Sequence, residues 1–221
     1  MKKIMMLALF LVINASIKSQ SINDSITIEL TKLSEKNNLV GFGVAILNKG
    51  NVMYAKGFGY ADKDTKSPYT IQTIQPIASI SKTLLAVAVM KAQEMGKLQL
   101  NDHINNYLPF KIYNPNFPNE NITIQQLVNH TSSILDGDSY DRTYVFKNKI
   151  PPFYNDFADN DVKTEVKSWV ELYNENEMMP IAEFIKKQYV EGEIWYDKAQ
   201  NFSTNRPGSK YKYSNMGANI T

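Results

Sequence analysis

The stretch that most constrains this chain is Leu84-Leu85-Ala86-Val87-Ala88-Val89-Met90, seven residues without a charge, entered directly from Ser79-Ile80-Ser81-Lys82-Thr83. Read as a helix, such a run is expected to be buried on most of its sides rather than amphipathic. Positions i and i+3 share a helix face, so the Lys82 amine is expected one turn above the Ser79 hydroxyl. An amine held away from water can accept a proton. A hydroxyl beside it at a helix N-terminus is an activated nucleophile, and the helix dipole favours negative charge there. The same spacing recurs at Ser209-Lys210-Tyr211-Lys212, but that copy follows Pro207-Gly208 in a polar loop and opens no apolar helix. A serine at a helix start is also a common N-cap, so Ser79 and Lys82 take their meaning from the rest of the chain.

The N-terminus begins Met1-Lys2-Lys3, continues apolar from Ile4 to Ile13 and turns polar over Asn14 to Gln20. A short basic start and an apolar stretch too brief to span a bilayer predict a secretory signal over residues 1–20, so the domain at 21–221 is expected to be exported, periplasmic or secreted, with no stable membrane anchor once the signal is cut. No cysteine is present, so neither a lipid attachment site nor a disulfide is available and the domain must hold by packing alone. Without Lys2, Lys3 and Lys18 the formal charge changes from +2 to about −1. That balance gives no reason to expect a nucleic-acid partner, and two histidines with no cysteine argue against a structural zinc site.

Residues 22–38 carry Ile26, Leu30 and Leu33 on one stripe, which predicts a helix. Val40–Leu47 and Val52–Tyr60 flank the turn Asn48-Lys49-Gly50-Asn51 and predict a β-hairpin, whose interleaved glycines point to close backbone approach or bulges. A lone hairpin is marginal, so further strands or a covering helix are required. Residues 61–75 read as a polar connection with Pro68 at a turn. Gly96 is placed to stop the central helix. Leu98, Leu100, Ile104, Tyr107 and Leu108 read as a short packed segment, and Thr123 can cap a helix through Ile124, Leu127 and Val128. Residues 134–205 carry no dominant pattern. They predict helices near 163–175 and 180–191, the latter with Pro180 in its first turn, inside an insertion that lines a substrate cleft or forms a solvated lid.

Tyr213-Ser214-Asn215 is the only Tyr-x-Asn among 13 tyrosines. With the Gly-rich hairpin at 41–60, Ser79-Ile80-Ser81-Lys82, Leu98–Asp102, Tyr107-Leu108-Pro109, and Ile122–Ser132, it resembles the serine β-lactamase and penicillin-binding-protein-like family in order along nearly the whole domain. The likeness is greatest to the branch of class C β-lactamases, D-alanyl-D-alanine carboxypeptidases and related esterases. The resemblance implies an α/β chain of the α+β type. An antiparallel sheet flanked by helices is joined to an all-helical subdomain carrying the nucleophile helix. It implies Ser79 as acylated nucleophile, Lys82 as its partner amine, Tyr213 as a proton-relaying phenol and Asn215 as a substrate-binding amide, with the Ser79 N–H as half of an oxyanion hole. No metal and no cofactor are implied, and the partner is a small-molecule or peptide substrate met by a monomer.

Two positions depart from the family pattern. Ser133 stands where glycine usually follows His-Thr-Ser, and no Lys-Thr-Gly or His-x-Gly follows Tyr213. The fold is therefore expected to be incomplete at its C-terminal end. The leading function is an exported serine hydrolase acting on a β-lactam, a peptidoglycan stem peptide or an ester. The alternatives are an inactive or binding-only remnant of the family, and a Ser-His-Asp hydrolase using His130 with Asp102 or Asp136, although no Gly-x-Ser-x-Gly elbow surrounds any serine.

Overall fold

The structure, a computed structural model, describes residues 21–221; the expected signal segment lies outside the described residues. Those residues form two compact units, one ending at Pro76 and one running from Ile77 to Thr221.

The first unit opens with α1, Ile22–Lys36, started by a reciprocal capping box between Ser21 and Asp24. Ile26 and Leu30 are half-buried while Leu33 is 51% exposed, so the apolar stripe covers its neighbour over only part of its length. Strands β1 (Gly41–Asn48) and β2 (Asn51–Asp62) pair antiparallel, with Phe42 opposite Phe58. Their rings stack 5.0 Å apart. Lys49 and Gly50 both have positive φ, 48° and 80°, as a two-residue turn matched to strand twist requires. On β2, Tyr54 and Phe58 are buried, and the Tyr54 hydroxyl lies 2.9 Å from Thr27 Oγ1 on α1, so the helix serves as the expected cover.

The connection after the hairpin is not wholly irregular. Ser67–Pro68 forms β3, which pairs with β2 to complete an antiparallel sheet ordered β1-β2-β3. Pro68, a turn marker by sequence, is thus a strand residue. A proline can sit on an edge strand, where its missing N–H leaves no ladder bond unmade. The glycines do allow close approach: a Cβ on Gly57 would run into the Tyr69 carbonyl group. Gly57→Ala is therefore expected to destabilise this unit by about 1–3 kcal/mol, read as a lower urea midpoint; an unchanged midpoint would show that the backbone yields freely there.

The second unit contains no strand longer than an isolated bridge among the described residues, and is helical. A 3₁₀ turn at Ala78–Ile80 leads into α2, Ser81–Glu94. It stops as expected: Gly96 has φ 67°, Gly96 N–H donates to Gln93 O and Lys97 N–H to Ala92 O, a Schellman closure. The expectation that α2 is buried on most sides is not met. Val89 is its one buried residue, while Leu84, Val87 and Met90 are 66%, 66% and 51% exposed. The uncharged 84–90 run buries only the face that has a wall, and the core of this unit provides one.

That core gathers Val89, Ile104, Ile112, Ile122, Leu127, Ile134, Phe184, Tyr189, Phe202 and Met216. Helix α3 (Ile124–Val128) is capped by Thr123, as expected, with Gln126 completing the box. Helices α4 (Asn160–Glu175) and α5 (Ile181–Tyr189) fall where the sequence placed them, except that Pro180 is the N-cap of α5 rather than a residue of its first turn. Phe184, Ile185, Gln188 and Tyr189 on α5 are buried. The C-terminal half of the 134–205 stretch is thus a wall of the core and not a solvated lid. The short helices α6 (Lys198–Asn201) and α7 (Asn215–Ile220) complete the unit.

Ser133 shows why its turn favours glycine. Its φ is 66°, a left-handed conformation that costs a side chain about 1–2 kcal/mol. Its hydroxyl offsets part of that by accepting from Asn114 Nδ2 at 2.9 Å in a buried setting.

Candidate active site

Ser79 occupies the middle of the 3₁₀ turn, behind Ala78, whose φ of 45° is unusual for a residue with a Cβ. Strain of this kind concentrates where a turn must present a side chain. Lys82 lies in the first turn of α2 and is half-buried; its Nζ donates to Ser79 Oγ at 3.2 Å. The i, i+3 geometry expected from sequence is therefore present, and it is completed from the far end of the unit. Tyr213 OH donates to Ser79 Oγ at 2.7 Å, and Lys82 Nζ donates to Asn215 Oδ1 at 2.9 Å. All four residues expected at the site converge on one point.

Two local devices aim the Tyr213–Asn215 segment. The first is the turn after α3. His130 has φ 55°, its carbonyl accepts from Lys212 N–H at 2.8 Å, and its Nδ1 accepts from Ser214 N–H at 3.3 Å. Its ring packs against that of Tyr213, centroids 4.6 Å apart. The second is the start of α7, where Ser214 is the N-cap and its Oγ accepts from Gly217 N–H at 2.8 Å. Asp136 joins that start from outside: its Oδ1 accepts from Ser214 Oγ and Met216 N–H, and its Oδ2 accepts from Asn215 Nδ2, each at 2.9 Å.

These contacts remove the histidine-triad reading. With Nδ1 accepting a backbone N–H, His130 is not oriented by a carboxylate, and both Ser79 contacts belong to Lys82 and Tyr213. Asp136 is committed to α7, and Asp102 accepts from Gln99 N–H and Tyr107 OH. His130 instead bonds backbone beyond a helix end. From sequence Asp136 reads only as a triad partner, and its three bonds to the Tyr-x-Asn segment are not legible there; its position six residues after His130 is visible, its contacts are not.

The electrostatics are set by Lys82. The Tyr213 phenol is held below its ordinary value, first by hydrogen bonding toward Lys82 and then by the bond with Ser79. The Lys82 ammonium stands 5.2 Å from the Tyr213 ring centre. His130 is pushed down by burial and then by the Lys82 charge, which keeps it neutral around pH 7. Ser79 and Tyr213 are both exposed, so the hydroxyl faces solvent. A cavity of about 40 Å³ lies on the inner side of Lys82, lined by Leu85, Ala86, Leu127, Val128 and His130 among others. A nucleophilic hydroxyl with an amine and an acidified phenol in direct contact is equipped for acyl transfer. Among the described residues no cluster of His, Asp or Glu could hold a metal ion.

The family profile described as Beta-lactamase matches residues 29–221. A protein named flp from Staphylococcus aureus is 37% identical over 100 residues, 45% of this chain and 20% of that protein. A putative penicillin-binding protein PbpX of Bacillus subtilis is 38% identical over 106 residues, 47% of this chain and 26% of that one. These alignments take in only about a fifth to a quarter of those relatives. Among solved structures, an octameric penicillin-binding protein homologue from Pyrococcus abyssi superposes with TM-score 0.56 at 21% identity, over 90% of this chain and 38% of that one. A class C beta-lactamase does so with TM-score 0.53 at 23% identity, over 92% and 43%. The fold is thus the β-lactamase/transpeptidase-like α+β class.

Proposed function

We propose, from the premise that this chain belongs to the beta-lactamase family, that it is an exported serine hydrolase working through an acyl-enzyme on Ser79. The observation that carries the reading is the convergence of Lys82 Nζ and Tyr213 OH on Ser79 Oγ, at 3.2 and 2.7 Å. The substrate is an amide or an ester: a β-lactam, a peptidoglycan stem peptide or a simple ester. Export follows from the basic and apolar start of the sequence.

In this mechanism the Ser79 O–H bond breaks as its oxygen attacks the carbonyl carbon, and the proton passes to the Tyr213 phenolate beside Lys82. Collapse of the tetrahedral species breaks the C–N or C–O bond, and Tyr213 returns that proton to the leaving group. Water then attacks the Ser79 ester, surrenders a proton to Tyr213, and the acid departs as Ser79 recovers its hydrogen. Asn215 Nδ2 uses one hydrogen on Asp136 and has a second to offer a substrate carbonyl.

Intact mass of the purified protein after exposure to a penicillin and, separately, a fluorophosphonate tests the reading, with Ser79→Ala as control. An adduct on the wild type alone is expected. A folded protein that takes up neither reagent would overturn it in favour of a binding-only role.

A further inference from the structure

Among the described residues, Asn215 is the one side chain that touches both Lys82 and Asp136 through a single amide group. Its Oδ1 accepts from Lys82 Nζ and its Nδ2 donates to Asp136 Oδ2, both at 2.9 Å. An ammonium can only donate and a carboxylate can only accept, so the amide has one allowed orientation. Reversed, it would set N–H groups against the ammonium and oxygen against oxygen.

Asp136 is itself firmly held. Its carbonyl accepts from Gln188 Nε2, and Gln188 is fully buried. Its neighbour Leu135 donates its N–H to Asn201 O at 3.0 Å and accepts from Tyr189 OH at 2.5 Å. The carboxylate therefore stands on a rigid backbone, with one oxygen on the start of α7 and the other on Asn215.

From this chain of contacts we propose that Asp136 is a positioning residue, which fixes the Asn215 amide and through it holds Lys82 Nζ against Ser79. The proposal rests on Ser79 being the acylated group only for its kinetic consequence; the orientation of the amide stands apart from any activity. Asp136 does not touch Ser79 and moves no proton.

The isosteric change Asp136→Asn gives a directional test. An asparagine there keeps its oxygen for Ser214 Oγ and Met216 N–H, which turns its amino group toward Asn215 Nδ2. Two donors then face each other. Asn215 must flip, presenting its own amino group to the Lys82 ammonium and displacing it. A shift of about 1 Å in a reacting group is worth roughly 10²-fold in rate, and that is the expected loss of fluorophosphonate labelling at Ser79.

The swap Asp136→Asn with Asn215→Asp restores an acceptor opposite each donor. The amide now at position 136 can donate to one carboxylate oxygen at position 215, while the other oxygen accepts from Lys82. The double variant is expected to label faster than either single variant, which a merely structural role for Asp136 would not produce. Labelling of Asp136→Asn at the wild-type rate, or a double variant no faster than Asp136→Asn, would overturn the proposal. The ¹⁵N–¹H side-chain amide signal of Asn215 supplies the readout that needs no activity. In the wild type one proton is expected downfield on the carboxylate, and it moves upfield in Asp136→Asn. An unmoved signal overturns the positioning role. A signal that moves in Asp136→Asn, in a protein whose wild type never labels, would instead sink the hydrolase reading and leave Asp136 as the orienting group.

Discussion

Tyr213→Phe is expected to slow acylation of Ser79 by about 10²–10⁴-fold, the range for removal of a positioned proton-transfer group. The change is confined to one oxygen, since a phenylalanine keeps the ring that packs 4.6 Å from His130. Folding should be preserved, and the loss should appear in the rate of labelling rather than in the far-ultraviolet spectrum. The pH dependence adds a second signature. In the proposed mechanism acylation requires the phenolate, so its rate should rise with pH through the Tyr213 ionisation. Hydrogen bonding toward Lys82 and with Ser79 pulls that ionisation below the usual phenol value, and the rise begins at correspondingly lower pH. Tyr213→Phe should lack the rise. A variant that keeps both the rate and the pH limb would remove Tyr213 from the mechanism.

Phe202→Ala should be the most damaging single change to stability, about 3–5 kcal/mol. Phe202 is 2% exposed, meets Tyr189 edge to face at 5.6 Å and lies 6.1 Å from Tyr196. Its backbone also pairs with Ile134, and Ser203 N–H donates to Ser133 O at 2.9 Å. The cavity left would border the segment that carries Asp136, so Ser79 labelling should fall along with the denaturation midpoint. Phe202→Leu keeps more of the volume and should lose less of both. Stability within about 1 kcal/mol of wild type for Phe202→Ala would mean that the two neighbouring rings, Tyr189 and Tyr196, close over the gap.

What could be read from the sequence was what local chemistry dictates. The hairpin is legible because two strand-like runs flank the short turn Asn48-Lys49-Gly50-Asn51, and the α3 start because Thr123 is a capping residue ahead of Ile124, Leu127 and Val128. Ser79, Lys82, Tyr213 and Asn215 were legible through their resemblance to a family, and the structure places them together. Their shared geometry was not deducible from spacing, since the two halves approach only through the fold. The short pairing at Ser67–Pro68 is not legible in the sequence, because two residues carry no periodicity. The wall formed by Phe184, Tyr189 and Phe202 is not legible in the sequence, because it is built from short segments, α5 and a single bridge, among polar residues that carry no long pattern. α2 is less buried than its composition suggests, because composition reports what a helix could bury and is silent about the neighbours that would cover it.

The separation of the two halves of the site has a consequence for how reactivity arises in time. Ser79 and Lys82 are three residues apart and can meet as soon as the first turn of α2 forms, an event of well under a microsecond to a microsecond. Tyr213 lies 134 residues away from Ser79 along the chain. Bringing such distant points together costs about 4 kcal/mol in loop closure, returned only once the intervening core has condensed. Contacts of this span form slowly. A refolding chain should therefore regain helical signal well before Ser79 can be labelled. If Ser79 is the proposed nucleophile, it should stay chemically silent in partly folded chains, and reagent uptake should serve as a late-stage clock for assembly of the Ile77–Thr221 unit.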